Sequence, residues 1–390
     1  MFFCGIDVAK RKHVAVVMDA AGIVTQRAFS IANTRDGMNQ LHQHLQHMAE
    51  PVTIGLEATG HYWLALYEFL TQHGYAIVVF NPLQIHAYRK SGVRKCKNDR
   101  TDAFWIADFV RIGQGQVATP ATPVLLQLRE LSRFRFRVTE QIGDCKRKMI
   151  AVLDRVFPEY ETLFSNVFLA TSRRLLQDAV TAQEFADLDV TELTQVLQST
   201  SRGRFGPEKA TAVQTLARQS IGVRFLTDAV RVEMRCLLEQ IALLETQRDQ
   251  IDEALEDLMT QVPQFITTIP GVGLATGAAL LAEIGDIHRF SEPEKLVAFA
   301  GIDARVYQTG EFTADHAHMS KRGSPYLRHA LWQAASMAIM HDPELRAYYQ
   351  HKRAEGKHHG TALGAICRKL LMRIYIVLKQ QRPYQVRSAQ

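Results

Sequence analysis

The chain contains no C-x-x-C pair, and its five cysteines, Cys4, Cys96, Cys145, Cys236 and Cys367, are far apart and odd in number. That excludes a clustered thiolate zinc site and a disulfide framework, and a reducing cytoplasm is the natural setting. No run reaches the roughly 18 apolar residues needed to span a bilayer, so no membrane partner is expected. With a strand-like segment so early and no basic stretch or cleavage site before it, no signal peptide is expected. Excess charge is scarce: 46 Lys and Arg stand against 40 Asp and Glu, a formal charge of +6. Such an excess is compatible with a polyanionic partner and does not demand one. The histidines show no metal-ligand spacing. What remains is an ordinary globular composition, 47% hydrophobic and 22% charged over 390 residues, which is material for two or three domains.

The clearest local signal is Lys97-Asn98-Asp99-Arg100-Thr101-Asp102, followed by Ala103-Phe104-Trp105-Ile106-Ala107. It reads as the first turn of a helix, with Asp99 and Asp102 on one face. Acidic residues also favour a helix N-terminus, so plain capping is the bland alternative. Upstream, Asp7 ends the apolar run Phe2-Phe3-Cys4-Gly5-Ile6, and Glu57 ends Val52-Thr53-Ile54-Gly55-Leu56. A carboxylate on a buried strand is costly unless it is paired or bound to a metal. Asp7, Glu57, Asp99 and Asp102 are therefore expected to converge into an all-oxygen site of the kind that suits Mg²⁺ and phosphodiester chemistry.

Phe2–Asp7, His13–Met18 and Ile23–Phe29 read as three strands, then a helix over 34–48, a strand over 52–57, a helix over 62–73 and a strand over 75–80. A three-strand meander followed by alternating helices and strands is the plan of an RNase H-like α/β domain. The basic stretch from Arg89, including Arg94, Lys95 and Lys97, is either a solvated loop or a contact to nucleic acid, and the neighbouring carboxylates favour the second. Gly113, Gly115, Pro120 and Pro123 mark the exit from this first domain, expected over 1–122.

A second region, 123–262, reads as helical. Residues 124–156 form one long basic amphipathic pattern carrying Arg133, Arg135, Arg137, Lys146, Arg147 and Lys148. Membrane surface, partner helix and nucleic acid are all open to such a helix. Phe134 and Phe136, interleaved with arginines, suit stacking on bases or burial against a neighbour. Residues 157–222 look helical and carry no evident chemistry. From Ile221 to Met259 a long apolar periodicity predicts a coiled coil and an oligomerisation element, with packing inside the monomer as the alternative.

A third region, 263–390, opens with Ile269-Pro270-Gly271-Val272-Gly273 between helical segments. This turn resembles a helix-hairpin-helix, in which Gly271 and Gly273 let the backbone approach a phosphate; a tight turn in a helical domain is the alternative. Further on, Ser320 lies beside Lys321, Arg322 and Arg328. Taken alone, Ser320 reads as a helix cap, and as a nucleophile it would need activation.

Six stretches together carry a resemblance. They are G-I-D-V-A-K at Asp7, G-L-E-A-T-G-H-Y at Glu57, K-N-D-R-T-D-A at Asp99 and Asp102, I-P-G-V-G-L-A-T-G from Ile269, L-V-A-F-A-G-I-D from Leu296 and M-S-K-R-G-S-P-Y-L-R from Met319. In this order the chain resembles the DEDD transposases of bacterial insertion sequences, the Piv-type invertase-related group that includes bridge-RNA-guided serine recombinases. The resemblance implies an α/β plus all-α chain: an RNase H/RuvC-like domain, a coiled-coil region and a mostly helical transposase domain. It implies Mg²⁺ on Asp7, Glu57, Asp99 and Asp102, and Ser320 as the nucleophile that forms a covalent phosphoserine link to DNA. The partners it implies are donor and target DNA, a structured guide RNA and further copies of the chain, as a dimer or tetramer at the nucleoid. One departure stands out. Many relatives have a Ser-Gly pair before the S-K-R-G motif, where this chain has Thr309-Gly310. The metal-dependent nuclease that uses water as nucleophile is the runner-up reading.

Overall fold

A computed structural model describes residues 1–58, 60–80, 85–86, 88–89, 98–113, 122–303, 308–309, 312–313 and 319–385. The chain divides into two compact units, one of residues 1–122 with 286–291, the other of 123–285 with 292–390. The regions 123–262 and 263–390, expected as two domains, thus share one unit.

The first unit is built on a five-stranded sheet in the order β3-β2-β1-β4-β5. Its strands are β1 (Phe2–Asp7), β2 (Lys12–Asp19), β3 (Val24–Ala32), β4 (Val52–Glu57) and β5 (Ala76–Phe80). The first three pair antiparallel, whereas β1–β4 and β4–β5 pair parallel. Helix α1 (Arg35–Gln46) starts at Thr34, whose side chain accepts from Gly37 N, and carries Met38, Leu41 and Leu45 into the core. Helix α2 (Trp63–Gln72) connects β4 to β5. Helix α3 (Asp99–Arg111) is capped by Asn98, whose side-chain oxygen accepts from Thr101 N at 2.8 Å.

Two glycines decide where α3 lies. Gly5 and Gly55 face each other in the β1–β4 register. A Cβ on Gly5 would come 2.8 Å from Ala107 Cα and closer still to the backbone of Ala103. One on Gly55 would run into Ile106 and Val110. Side chains at i and i+2 share a strand face, so each glycine stands on the same face as the acid that follows it. The glycines seat α3 flat on the sheet, beside Asp7 and Glu57.

The second unit is helical. Helices α4 (Pro123–Val156) and α9 (Thr227–Thr260) pack on one another along their length. Their bonds, Arg135–Asp252, Cys145–Gln240 and Arg155–Glu233, make the pair antiparallel. The apolar stripe of α9, Val230, Met234, Leu237, Leu238 and Ile241, is buried in this chain's own core. Packing inside the monomer therefore accounts for the periodicity that suggested a coiled coil. Between them run α5 (Ala170–Asp178), α6 (Ala182–Asp187), α7 (Val190–Ser201) and α8 (Pro207–Gln219). They close over the aromatic cluster Phe157, Tyr160 and Phe185. The unit continues with α10 (Leu274–Ile284), α11 (Pro293–Ala300), the short strands β6 (Gln308–Thr309) and β7 (Phe312–Thr313), α12 (Pro325–His341), α13 (Pro343–Ala354) and α14 (His359–Gln380). Among the described residues, no helix is long and apolar enough to cross a membrane.

Candidate active site

Asp7 and Glu57 stand at the C-terminal ends of neighbouring parallel strands, one step beyond the paired residues Ile6 and Leu56. The first turn of α3 adds Asp99 and Asp102. The charges of the other three act on Asp7. Burial, followed by the charges of Asp102, Asp99 and Glu57, pushes the Asp7 carboxyl up to about 7, against an opposing pull from Arg89. At neutral pH this cluster is short of positive charge.

Arg89 supplies part of it. Its guanidinium forms an ion pair with Asp102 Oδ1, both side chains being largely buried. That oxygen makes no aligned hydrogen bond, so the attraction is a contact of charges. The neighbouring Tyr88 is fixed to α3, its hydroxyl donating to Asp108 Oδ2 at 2.6 Å and its ring packing on Phe109 and Trp105. Arg89 belongs to the basic stretch recognised in the sequence, but its partner carboxylate could not be read there. Arg94, Lys95 and Lys97 lie outside the described residues.

All-oxygen donors of this kind fit a hard divalent ion. Among the described residues, however, no three His, Cys, Asp or Glu side chains converge closely enough to hold one as they stand. The chemistry of the donor set fits a metal, and Arg89 stands against one of the four acids.

In the second unit, Ser320 is 3% exposed and its hydroxyl donates to Asp303 Oδ1. The backbones are joined as well, Ser320 N donating to Asp303 O at 2.9 Å and Lys321 N to Gly301 O at 2.9 Å. Lys321 takes a left-handed φ of 52° in this turn. Gly301 and Gly323 make its close approach possible, since a Cβ on Gly301 would lie 2.6 Å from Gly323 N. Arg328 turns inward to the same turn, its guanidinium donating to Gly323 O at 2.6 Å. Arg322 is exposed. Asp303 ends the L-V-A-F-A-G-I-D stretch, and its tie to Ser320, seventeen residues away, emerges only in the fold. Thr309 is described as part of β6, and Gly310 lies outside the described residues.

The basic residues of α4 divide into two groups. Arg133 grips the buried Glu283 with two bonds, of 2.6 and 3.1 Å, and lies over the Tyr326 ring. Arg135 is paired with Asp252. Arg129 donates to Ala282 O at 2.9 and 3.0 Å, satisfying a carbonyl at the end of α10. Lys146 lies over the Phe168 ring, while Arg137, Arg147 and Lys148 are exposed. Glu283 is the residue that the sequence signals only indirectly, as an acid inside the apolar run Leu280-Leu281-Ala282-Glu283-Ile284, which is itself a sign of a buried partner. Gly271, at φ 90°, has a packing reason of its own: a Cβ there would lie 2.7 Å from Ala334 O on α12. Gly273 precedes α10 and has open space around it.

The chain thus joins an α/β sheet with acids at the C-terminal ends of two inner strands to a large helical unit. A family model for IS110-type DEDD transposases matches residues 4–158, and one described as the transposase IS116/IS110/IS902 family matches residues 264–350. Similar proteins include the pilin gene-inverting protein of Moraxella bovis, 25% identical over 99% of this chain and 98% of its own length. A 44.8 kDa protein of insertion element IS116 from Streptomyces clavuligerus is 25% identical over 97% of this chain and 94% of its own. The transposase for insertion sequence element IS1111A of Coxiella burnetii is 27% identical over 43% of this chain and 47% of its own. The chain belongs to the DEDD insertion-sequence transposases and is a DNA-processing enzyme. Membership of this family implies a divalent metal ion.

Proposed function

We propose that the protein is a site-specific recombinase of an insertion sequence that cuts and rejoins DNA through a serine-linked intermediate. In this reading residues 1–122 form an RNase H/RuvC-like domain in which Asp7, Glu57, Asp99 and Asp102 hold Mg²⁺. The observation that carries it is the placement of Asp7 and Glu57 at the ends of β1 and β4 beside the first turn of α3, with the charges of Glu57, Asp99 and Asp102 acting on Asp7. The ion, when bound, would supply positive charge for a phosphodiester in reaction. Residues 123–262 supply basic helix surface for a structured guide RNA, with Arg137, Arg147 and Lys148 the exposed members on α4. Residues 263–390 form the transposase domain, with a helix-hairpin-helix-like turn at Gly271 and Gly273. The protein works as a homo-oligomer on donor and target DNA at the bacterial nucleoid.

Ser320 is the nucleophile in this proposal. Its Oγ forms the new bond to phosphorus while the bond to the leaving DNA oxygen breaks. The hydroxyl proton passes to Asp303 Oδ1, which already accepts its hydrogen bond. Lys321, Arg322 and Arg328 stand beside it in sequence. Burial of Ser320 in the turn favours a second reading, in which the Ser320–Asp303 bond is a structural latch and water is the attacking group.

The test is cleavage of labelled donor and target DNA by the full chain with its element-encoded RNA and Mg²⁺. Products are run on denaturing gels with and without protease. A protease-sensitive DNA adduct that disappears in Ser320→Ala, with nucleic-acid binding retained, is expected. Free DNA ends with no adduct, and substantial cleavage by Ser320→Ala, would establish the hydrolytic reading instead.

A further inference from the structure

Arg89 does not lie among the carboxylates by accident of a long side chain. Tyr88 fixes the chain beside α3 through Asp108, and Ile85 just upstream is completely buried. The guanidinium that follows is held at Asp102 Oδ1, with 22% of its side chain exposed and 13% of the aspartate's. A divalent ion and a guanidinium compete for the same carboxylate, and they repel each other at short range in a partly desolvated site. The alternative is an arginine that stays on Asp102 as an outer support and orients it for the ion, as second-shell partners commonly do. One observation weighs against support: the charge of Arg89 reaches Asp7 as well as Asp102, which sets the guanidinium among the carboxylates and not behind one of them.

We infer that Arg89 is a built-in occupant of the acidic site: it neutralises Asp102 in the ion-free protein and must leave before a divalent ion can use that carboxylate. The site is then a two-state device, with the arginine-locked and ion-loaded forms mutually exclusive. Coupling of this kind is reciprocal, so whatever draws Arg89 away raises affinity for the ion. This inference rests on the four-acid reading of the site.

The experiment is Mn²⁺ binding to the full chain without nucleic acid, followed by the paramagnetic resonance of free Mn²⁺ and requiring no turnover. Arg89→Met keeps the length of the side chain and removes its charge. It is expected to bind Mn²⁺ at least about fivefold more tightly than the unaltered protein, the lower end of typical coupling between sites. Arg89→Lys, which keeps the charge, is expected to return affinity most of the way. An affinity for Arg89→Met equal to or weaker than that of the unaltered protein overturns the inference. Asp102→Asn in the same titration separates the two claims. If it leaves Mn²⁺ binding unchanged, the four-acid reading itself falls and the inference with it. If it abolishes binding while Arg89→Met does not strengthen it, only the role of Arg89 falls.

Discussion

Gly5→Ala is the smallest change that should dismantle the acidic site without touching an acid. The added methyl would lie 2.8 Å from Ala107 Cα and nearer still to the backbone of Ala103. Backbone cannot rotate aside as a side chain can, so α3 must retreat from the sheet by on the order of 1 Å. That helix buries Ala103, Ile106, Ala107, Phe109 and Val110. Overpacking typically costs about 1–3 kcal/mol, and a clash with main chain belongs at the upper end, about 3 kcal/mol. Asp99 and Asp102 travel with the helix, so affinity for the divalent ion should fall as well. Trp105 lies on α3 and reports on it directly, once Trp63 and Trp332 are replaced by Phe. Urea unfolding followed by its fluorescence measures the first unit locally, which matters because a chain of two units need not unfold in one step. Gly74→Ala is the control. It sits at φ 78° with nothing within 4 Å of the added methyl, so only backbone strain of about 1 kcal/mol applies. If Gly5→Ala proves no more destabilising than Gly74→Ala and binds the ion equally well, the seating argument is wrong.

Two further outcomes follow from buried charge. Asp7 has its folded-state pKa raised to about 7 from an ordinary 3.8, so the folded protein favours the protonated form. In chelator, stability should therefore be greatest below about pH 4 with respect to this group and decline as pH rises toward about 7. Thermal melts across that window should show the decline, and Asp7→Asn should remove its part of it; a decline unaltered in the variant would assign it to other groups. In the second unit, Arg133→Ala strands the 5%-exposed Glu283. The cost expected is about 3 kcal/mol, because breaking a buried pair leaves one charge uncompensated. Arg133→Ala combined with Glu283→Leu should recover most of that loss in a denaturant titration, and a double variant as unstable as the single one would contradict the assignment.

The strands and helices of the first unit were legible because each signal was local. Asp99 and Asp102 mark a first helical turn, the apolar run to Asp7 marks a strand, and the helical pattern from Thr34 marks α1. The expected grouping of acids rests on the same local kind of signal, charge at the end of an apolar run. What stayed hidden is contact between residues distant in sequence. The apolar stripe of α9 reads the same whether its partner is a second copy or the chain's own α4; only the ladder from Arg135–Asp252 to Arg155–Glu233 identifies α4. The arginines of α4 likewise read as one basic face. In the fold, Arg133 and Arg135 are committed to Glu283 and Asp252, leaving Arg137, Arg147 and Lys148 exposed.

The glycine and the acid in Gly5-Ile6-Asp7 and in Gly55-Leu56-Glu57 are parts of one device. Two residues apart on a strand, they share a face. The glycine admits α3 against the sheet, and the acid meets the first turn of that helix. Because Gly5 pairs with Gly55, the seat is two strands wide, and the carboxylates beyond it come from two strands and a helix, all rigid elements. The positive end of the α3 dipole faces the same corner and eases the crowding of negative charge. It does not remove it, as the raised Asp7 carboxyl attests. Rigid backbone thus sets where the acids start from, and the repulsion acting on Asp7 is left unrelieved. Arg89, carried on the connection between β5 and α3, brings positive charge to this corner through its pair with Asp102.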